Sequence, residues 1–201
     1  ESIVFPLLPF LLASFNADGR TLGLLAGSYA LAQFAATPLI GALSDRFGRR
    51  PVIATCVSGS VLGLGLFALT VSLDWPAGAS LPLMLLFLAR LIDGVSGGTA
   101  ATASAVLADI TPPEQRARAF GLIGVAFGLG FIIGPFLGGQ LARINVTVPV
   151  WAATGFALVN LFMVLRLLPE THPPEERKAM PRKRDLNPFA QVAKVTANPI
   201  V

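Results

Sequence analysis

The sequence is poor in the side chains from which soluble proteins build their sites and surfaces. Its 201 residues include one cysteine and one histidine, which excludes a disulfide framework and leaves no set of cysteines or histidines for a metal. Charged residues make up 13% of the chain and hydrophobic residues 54%, whereas about a quarter of a soluble domain is charged. We therefore predict an integral membrane protein with no metal site and no bound cofactor.

Long apolar runs take the place of the missing charges. A hydrocarbon core of about 30 Å is crossed by a helix of about 20 apolar residues. Five runs reach that length, at roughly 21–43, 51–73, 81–109, 117–142 and 149–168. A shorter run over 2–15 lacks the basic start and the cleavage site of a signal peptide. We interpret it as the outer part of a truncated first helix.

Basic residues collect on one side of the predicted membrane. The joints on one side hold Arg20 and Arg143, whereas the joints on the other side, with the tail, hold eleven lysines and arginines. The positive-inside rule makes the richer side cytoplasmic. This asymmetry accounts for the net charge of +4 without a nucleic-acid partner. We predict a transmembrane six-helix bundle over 1–168 and a cytoplasmic Pro-rich basic linker over 169–201.

Two charged stretches lie at cytoplasmic joints, GALSDRFGRR at 41–50 and DITPPEQR at 109–116. Arginines form bidentate pairs with carboxylates, and glycines permit close backbone approach. The two joints predict a charge network between helices that closes the cytoplasmic side; a permanently solvated surface cluster is the alternative. The predicted members of this gate are Gly41, Asp45, Arg46, Gly48, Arg49, Arg50, Asp109 and Arg116.

Two opposite charges lie inside the fourth span. Arg90 is about ten residues from the start of that span, which places it near the bilayer middle, where an unpaired charge is costly. Asp93 follows at i+3, on the same side of a helix. We predict a cavity-facing role in proton coupling for this pair, and a structural ion pair is the alternative. Glu1 is a further candidate acid, and Tyr29, Gln33 and Asn160 are candidate cavity groups or, alternatively, helix–helix hydrogen-bonding groups.

The fifth span is rich in glycine, with seven glycines in the nineteen residues 121–139. Glycine disfavours a helix in water by about 1 kcal/mol, but in lipid it lets a partner helix approach closely. A proline in the same span bends the helix. The spaced pattern consists of Gly121, Gly130, Gly134, Pro135, Gly138 and Gly139.

A serine in the fourth span lies in a short stretch that matches a hydrolase motif. GVSGG at 94–98 fits G-x-S-x-G, but a nucleophilic serine needs a positioned base. The one histidine, His172, lies in the linker, so we predict that the protein is not an enzyme.

Taken together, these motifs resemble the major facilitator superfamily over about residues 6–170. GALSDRFGRR is similar to the superfamily loop signature G-x-L-x-D-R-x-G-R-R, and Arg90 resembles its fourth-helix arginine. The glycine pattern resembles the antiporter motif of drug–proton exchangers, and LPET at 168–171 resembles the signature that closes the sixth helix. Asp93 departs from the family's usual Gln or Ser. The resemblance implies an all-α half-bundle of two inverted three-helix repeats, closest to the tetracycline and multidrug antiporters.

The resemblance also implies a function. It predicts a proton-coupled exporter of small amphiphilic drugs or metabolites, located in the inner or plasma membrane and working by alternating access. Its partners are the lipid bilayer, the small-molecule substrate, protons and a missing C-terminal half. The alternatives are a superfamily importer or facilitator and a non-transporting half-length membrane protein.

Overall fold

A computed structural model describes residues 2–13, 15, 18–76 and 78–177. The first segment, residues 2–13, contains one 3₁₀ turn (Phe5–Leu7) and α1. Glu1 and most of the predicted linker lie outside the described residues. The helices are α1 (Leu8–Ala13), α2 (Gly19–Phe47), α3 (Arg49–Ser72), α4 (Leu81–Ser96), α5 (Thr99–Ile110), α6 (Arg116–Ala142) and α7 (Val148–Leu167), with short 3₁₀ turns at Pro113–Gln115 and Pro174–Glu176.

The five predicted spans are confirmed as helices that are long and apolar enough to cross a membrane. They are Gly19–Phe47, Arg49–Ser72, Leu81–Ile110, Pro113–Ala142 and Val148–Leu167. α2 begins at a side-chain cap, because Asp18 Oδ1 accepts hydrogen bonds from the Thr21 backbone N–H at 2.8 Å and from the Thr21 hydroxyl at 2.7 Å. These two bonds lower the pKa of the Asp18 carboxyl below its ordinary value.

The core forms where α4 packs against both α2 and α3, and where α7 packs on α3. Leu12, Leu25, Phe67, Leu86 and Val150 are fully buried in this core, so the first segment, α2, α3, α4 and α7 all contribute to it. Because lipid tails are as apolar as these side chains, helices within a membrane are held together mainly by close van der Waals packing of this kind.

α6 stands apart from this core. Its large apolar side chains are exposed, among them Phe131, Ile132 and Phe136, and its contacts within the bundle are with α5, α7 and the first segment. An exposed helix that is apolar on all sides needs either lipid or another protein surface around it.

The fourth span is interrupted, which its uniform hydropathy does not predict. α4 ends at Ser96 and α5 begins at Thr99. At the break the Gly97 N–H donates to the Gly94 carbonyl at 2.9 Å, and the Gly97 carbonyl accepts from Gln33 Nε2 at 3.0 Å. A neighbouring side chain thus binds a carbonyl at the point where the helix is interrupted.

Candidate functional site

A cavity of about 450 Å³ lies between the first segment, α2, α4 and α6. Its walls are mainly apolar, and Phe5, Phe131 and Pro135 contribute to them. The polar side chains among its described lining residues include Tyr29 and Arg90. Mostly apolar walls with a few placed polar groups are typical of small-molecule sites.

Arg90 is one of the cavity-lining residues although it is almost completely buried, at 3% exposure. Its guanidinium carbon lies 4.7 Å from the centre of the Phe67 ring and 5.9 Å from the centre of the Tyr29 ring. Aromatic faces attract cations, and more strongly where water is excluded. The two rings therefore help to hold the charge within the bundle, and the role of Arg90 in proton coupling stays a prediction.

Asp93 lies on the side of α4 that faces α3. It is buried, and a Cβ atom added at Gly63 would come within 2.8 Å of Asp93 Cβ and 2.9 Å of the Ala89 carbonyl. Asp93 is absent from the described cavity lining. The structure therefore places this acid at the tight α3–α4 contact, one turn from Arg90, and its proton-carrying role stays a prediction. Glu1, the other candidate acid, lies outside the described residues.

The other candidate cavity groups lie at different places in the structure. Tyr29 lines the cavity with Arg90, whereas Gln33 makes the helix–helix hydrogen bond at the α4–α5 break. Asn160 lines a different cavity of about 300 Å³, together with Thr99 and Val106. Of the three, Tyr29 is the one that the structure places beside Arg90.

Arg49 connects the helix ends on the basic side of the bundle. Its Nη1 donates to Asp45 Oδ1 at 2.6 Å and to Ser44 Oγ at 2.9 Å, and its Nε donates to Asp109 Oδ2 at 3.0 Å. The Arg49 side chain is 9% exposed, so its charge is partly desolvated and depends on these partners. We call Ser44, Asp45, Arg49 and Asp109, with Glu170 described next, the Arg49 cluster.

Glu170 joins this cluster from the chain after α7. Its Oε1 accepts from the Arg49 backbone N–H at 2.8 Å and from the His172 N–H at 3.0 Å. The carboxylate thereby sits at the N-terminus of α3, where negative charge is favourable. Gly48 makes room for it: its φ is +103°, and a Cβ added there would collide with the Glu170 carboxylate. The gate prediction omitted Glu170, and LPET at 168–171 was the one signal in the sequence that marked it.

The other arginines of the predicted gate make different contacts. Arg46 lies over the Phe47 ring at 5.2 Å, and Arg50 Nη2 donates to the Leu165 carbonyl at 2.6 Å. Arg116 donates to the carbonyls of Thr111 and Ala108 at 3.4 and 3.3 Å, at the end of α5 where free carbonyls favour a cation. Gly41 faces open space among the described residues. The structure therefore brings Asp45, Arg49 and Asp109 together. The other predicted members discussed in this paragraph, Gly41, Arg46, Arg50 and Arg116, do not join these contacts.

Two glycines of α6 contact the first segment beside the cavity. A Cβ added at Gly134 would lie 2.7 Å from Ser2 Cβ, and one added at Gly138 would lie 2.7 Å from the Ile3 carbonyl. Pro135 lies between them and lines the cavity. The remaining glycines of the pattern, Gly121, Gly130 and Gly139, face open space within the part of the chain that the structure describes.

Known proteins are similar to this chain in sequence. The tetracycline resistance protein class C of Escherichia coli is 39% identical over 191 residues, which cover 94% of this chain and 45% of that protein. The Bos taurus Major facilitator superfamily domain-containing protein 10 is 41% identical over 155 residues, 77% of this chain and 31% of that protein. The chain thus spans less than half the length of these relatives.

A solved structure has the same architecture. The crystal structure of the human organic anion transporter MFSD10 (TETRAN) superimposes with a TM-score of 0.79 at 31% identity, covering 94% of this chain and 50% of that one. The sequence model of the Major Facilitator Superfamily matches residues 1–199. The chain is therefore a member of the Major Facilitator Superfamily.

Proposed function

We propose that this chain forms the N-terminal half of a proton-coupled exporter of small amphiphilic molecules. The observation that carries the proposal is the cavity of about 450 Å³, whose mainly apolar lining includes the residues Arg90 and Tyr29. Such a surface binds the apolar body of a substrate by excluding water and its polar group by charge or hydrogen bonding. In the whole transporter, the second half would complete the cavity.

Coupling of transport to protons needs an acidic residue whose charge affects the cavity that binds the substrate. Asp93 is buried one helical turn from Arg90, and burial and a nearby positive charge act on a carboxyl in opposite directions. We propose that Asp93 takes up and releases the coupled proton, and that the resulting change of charge one helical turn from Arg90 alters the cavity wall to which the substrate binds.

The Arg49 cluster holds together the helix ends on one side of this half. Its contacts join the end of α2, the start of α3, the end of α5 and the chain after α7. Helix ends tied in this way move together, which suits the rigid-body rocking of alternating access. We propose that this end is cytoplasmic, because the basic residues gather there.

The relatives indicate which substrates to try first. One group is named for tetracycline resistance and a solved neighbour for organic anion transport. The experiment uses the full-length protein in inside-out vesicles that generate a proton gradient, with tetracycline and a fluorescent organic anion as probes. Uphill uptake that collapses when a protonophore is added supports the proposal. Uptake that never exceeds the external concentration contradicts it and indicates a facilitator.

A further inference from the structure

A groove between α2 and α3 lies outside the cavity described above. It has a volume of about 460 Å³, and Val95 and Ser96 of α4 contribute to its lining. The walls are formed by Leu39 and Phe47 of α2 and by Thr55 of α3, which are all exposed. The groove is thus open along the side of the bundle, with apolar side chains that no other described element covers.

The dimensions of the groove match one leaflet of a bilayer. Its α2 wall extends from Ala36 to Phe47, and at 1.5 Å per residue this stretch is about 16 Å long. The hydrocarbon core is about 30 Å thick, so the groove spans about half of it. It starts at the basic end, where α2 turns into α3, and ends near the bilayer middle.

A positive charge stands at the open end of the groove. Arg46 is exposed, and its guanidinium lies over the Phe47 ring at 5.2 Å, while that ring forms part of the groove wall. The neighbouring carboxylate, Asp45, is paired with Arg49 at 2.6 Å and so does not neutralise Arg46. The end of the groove therefore combines an apolar channel with a cation at headgroup depth.

We infer that this groove binds one acyl chain of an anionic phospholipid, with the lipid phosphate on Arg46. The apolar length takes the chain, and the guanidinium provides the charge-assisted hydrogen bonds that phosphate oxygens accept. A helix of the other half of the transporter is the competing occupant, and it would not need a cation at this position. The inference is independent of the transported substrate and of proton coupling.

The first test counts lipids on the full-length protein. Native mass spectrometry is carried out after exchange into mixed micelles that contain palmitoyl-oleoyl phosphatidylglycerol or phosphatidylcholine. The wild type is expected to retain one phosphatidylglycerol in preference to phosphatidylcholine. Arg46→Gln should abolish the preference, and Thr55→Trp, which fills the groove from an exposed position, should reduce retention of either lipid about tenfold. Arg118→Gln, at an exposed arginine of the same end, is the charge control and should behave as the wild type.

Two results would overturn the inference. One is a wild-type phosphatidylglycerol preference in Arg46→Gln, and the other is wild-type lipid retention in Thr55→Trp.

The second test separates lipid from protein as the occupant, using the photoreactive residue benzoylphenylalanine in place of Leu39. Illumination in membranes should add the mass of one phospholipid. A cross-link to a peptide of the other half, or no lipid adduct in a monodisperse protein, would contradict lipid occupancy.

Discussion

At the scale of single residues, Arg49 has the densest set of contacts at the basic end. Three of its side-chain hydrogen bonds reach Ser44, Asp45 and Asp109, and its backbone N–H reaches Glu170. A planar guanidinium serves several acceptors at fixed angles, whereas a lysine ammonium is a compact point charge on a flexible stem. The geometry of this residue therefore matters as much as its charge.

Arg49→Lys is expected to loosen the basic end although it conserves the charge. At least one charge-assisted hydrogen bond is lost, worth about 1.5–3 kcal/mol, which corresponds to about tenfold or more in the equilibrium between the intact and the loosened cluster. Apparent melting temperature in detergent and substrate efflux should both fall. Arg118→Lys, at an exposed position, is the matched control. Wild-type melting and efflux in Arg49→Lys would show that the cluster is dispensable.

Asp93→Asn tests the proposed proton carrier. Asparagine has nearly the same shape but cannot ionise, so the tight contact with Gly63 is preserved while proton exchange is removed. We expect loss of uphill efflux and retention of downhill exchange in de-energised vesicles. Asp74→Asn, an exposed acid at the opposite end, should pump normally. If Asp93→Asn pumps uphill as well as the wild type, the proton carrier is a different acid.

The sequence predicts some site residues well and misses others for physical reasons. Asp45 and Asp109 are identifiable because each lies near a helix end, in a short charged stretch that also contains arginine. Glu170 is 121 positions from Arg49 along the chain, so its role depends on how α7 packs on α3, which local pattern does not determine. For Gln33, the helix–helix hydrogen bond is one of the two predicted alternatives, but its partner, a carbonyl at a break in another helix, cannot be identified from local pattern.

At the scale of elements, hydropathy locates the helices but not their ends or breaks. The apolar run of α2 stops near residue 43, yet the helix continues to Phe47, because Arg49 pairs with Asp45 in its last turn. Gly48 then ends the helix with a positive φ. The α4–α5 break remains hidden because Gly97 and Gly98 do not interrupt the apolar run, and their conformation depends on neighbouring side chains.

The contact between α6 and the first segment gives a prediction at this scale. Gly134→Ala adds a Cβ where Ser2 already lies, so it should push the first segment away from α6 and reduce efflux several-fold. Adding Ser2→Gly removes the side chain it meets and should restore part of the loss. Gly139→Ala, which faces open space in the described bundle, is the control on the same helix. Unchanged efflux in Gly134→Ala would mean that this close contact is unimportant.

At the scale of the whole molecule, the exposed apolar surface of α6 is where we propose that a second half packs. Phe131 and Pro135 line the cavity on α6, and neighbouring apolar residues of the same helix remain uncovered. Because this chain covers about half of its structural neighbour, we expect the second half to pack where α6 is exposed. The part of α6 that lines the cavity would then form one wall of an enclosed substrate site.

The orientation of the molecule is tested by labelling from outside intact cells. Ser80 and Gln115 are both exposed in the structure and lie in joints at opposite ends of the spans. In a background without other reactive cysteines, Ser80→Cys should react with a membrane-impermeant maleimide in intact cells. Gln115→Cys should react only after the cells are permeabilised. The buried native Cys56 should remain unlabelled. External labelling at Gln115→Cys would reverse the proposed topology.

Proton-coupled export is tested most directly by recording substrate and proton movement together. The full-length protein is reconstituted in liposomes that contain a pH-sensitive dye and is given a gradient of a transported drug with no initial pH difference. Protons are expected to move opposite to the drug, in proportion to its flux, and Asp93→Asn should abolish the proton signal while drug exchange continues. Drug flux through the wild type with no proton movement, or with protons moving in the same direction, would contradict the proposed antiport.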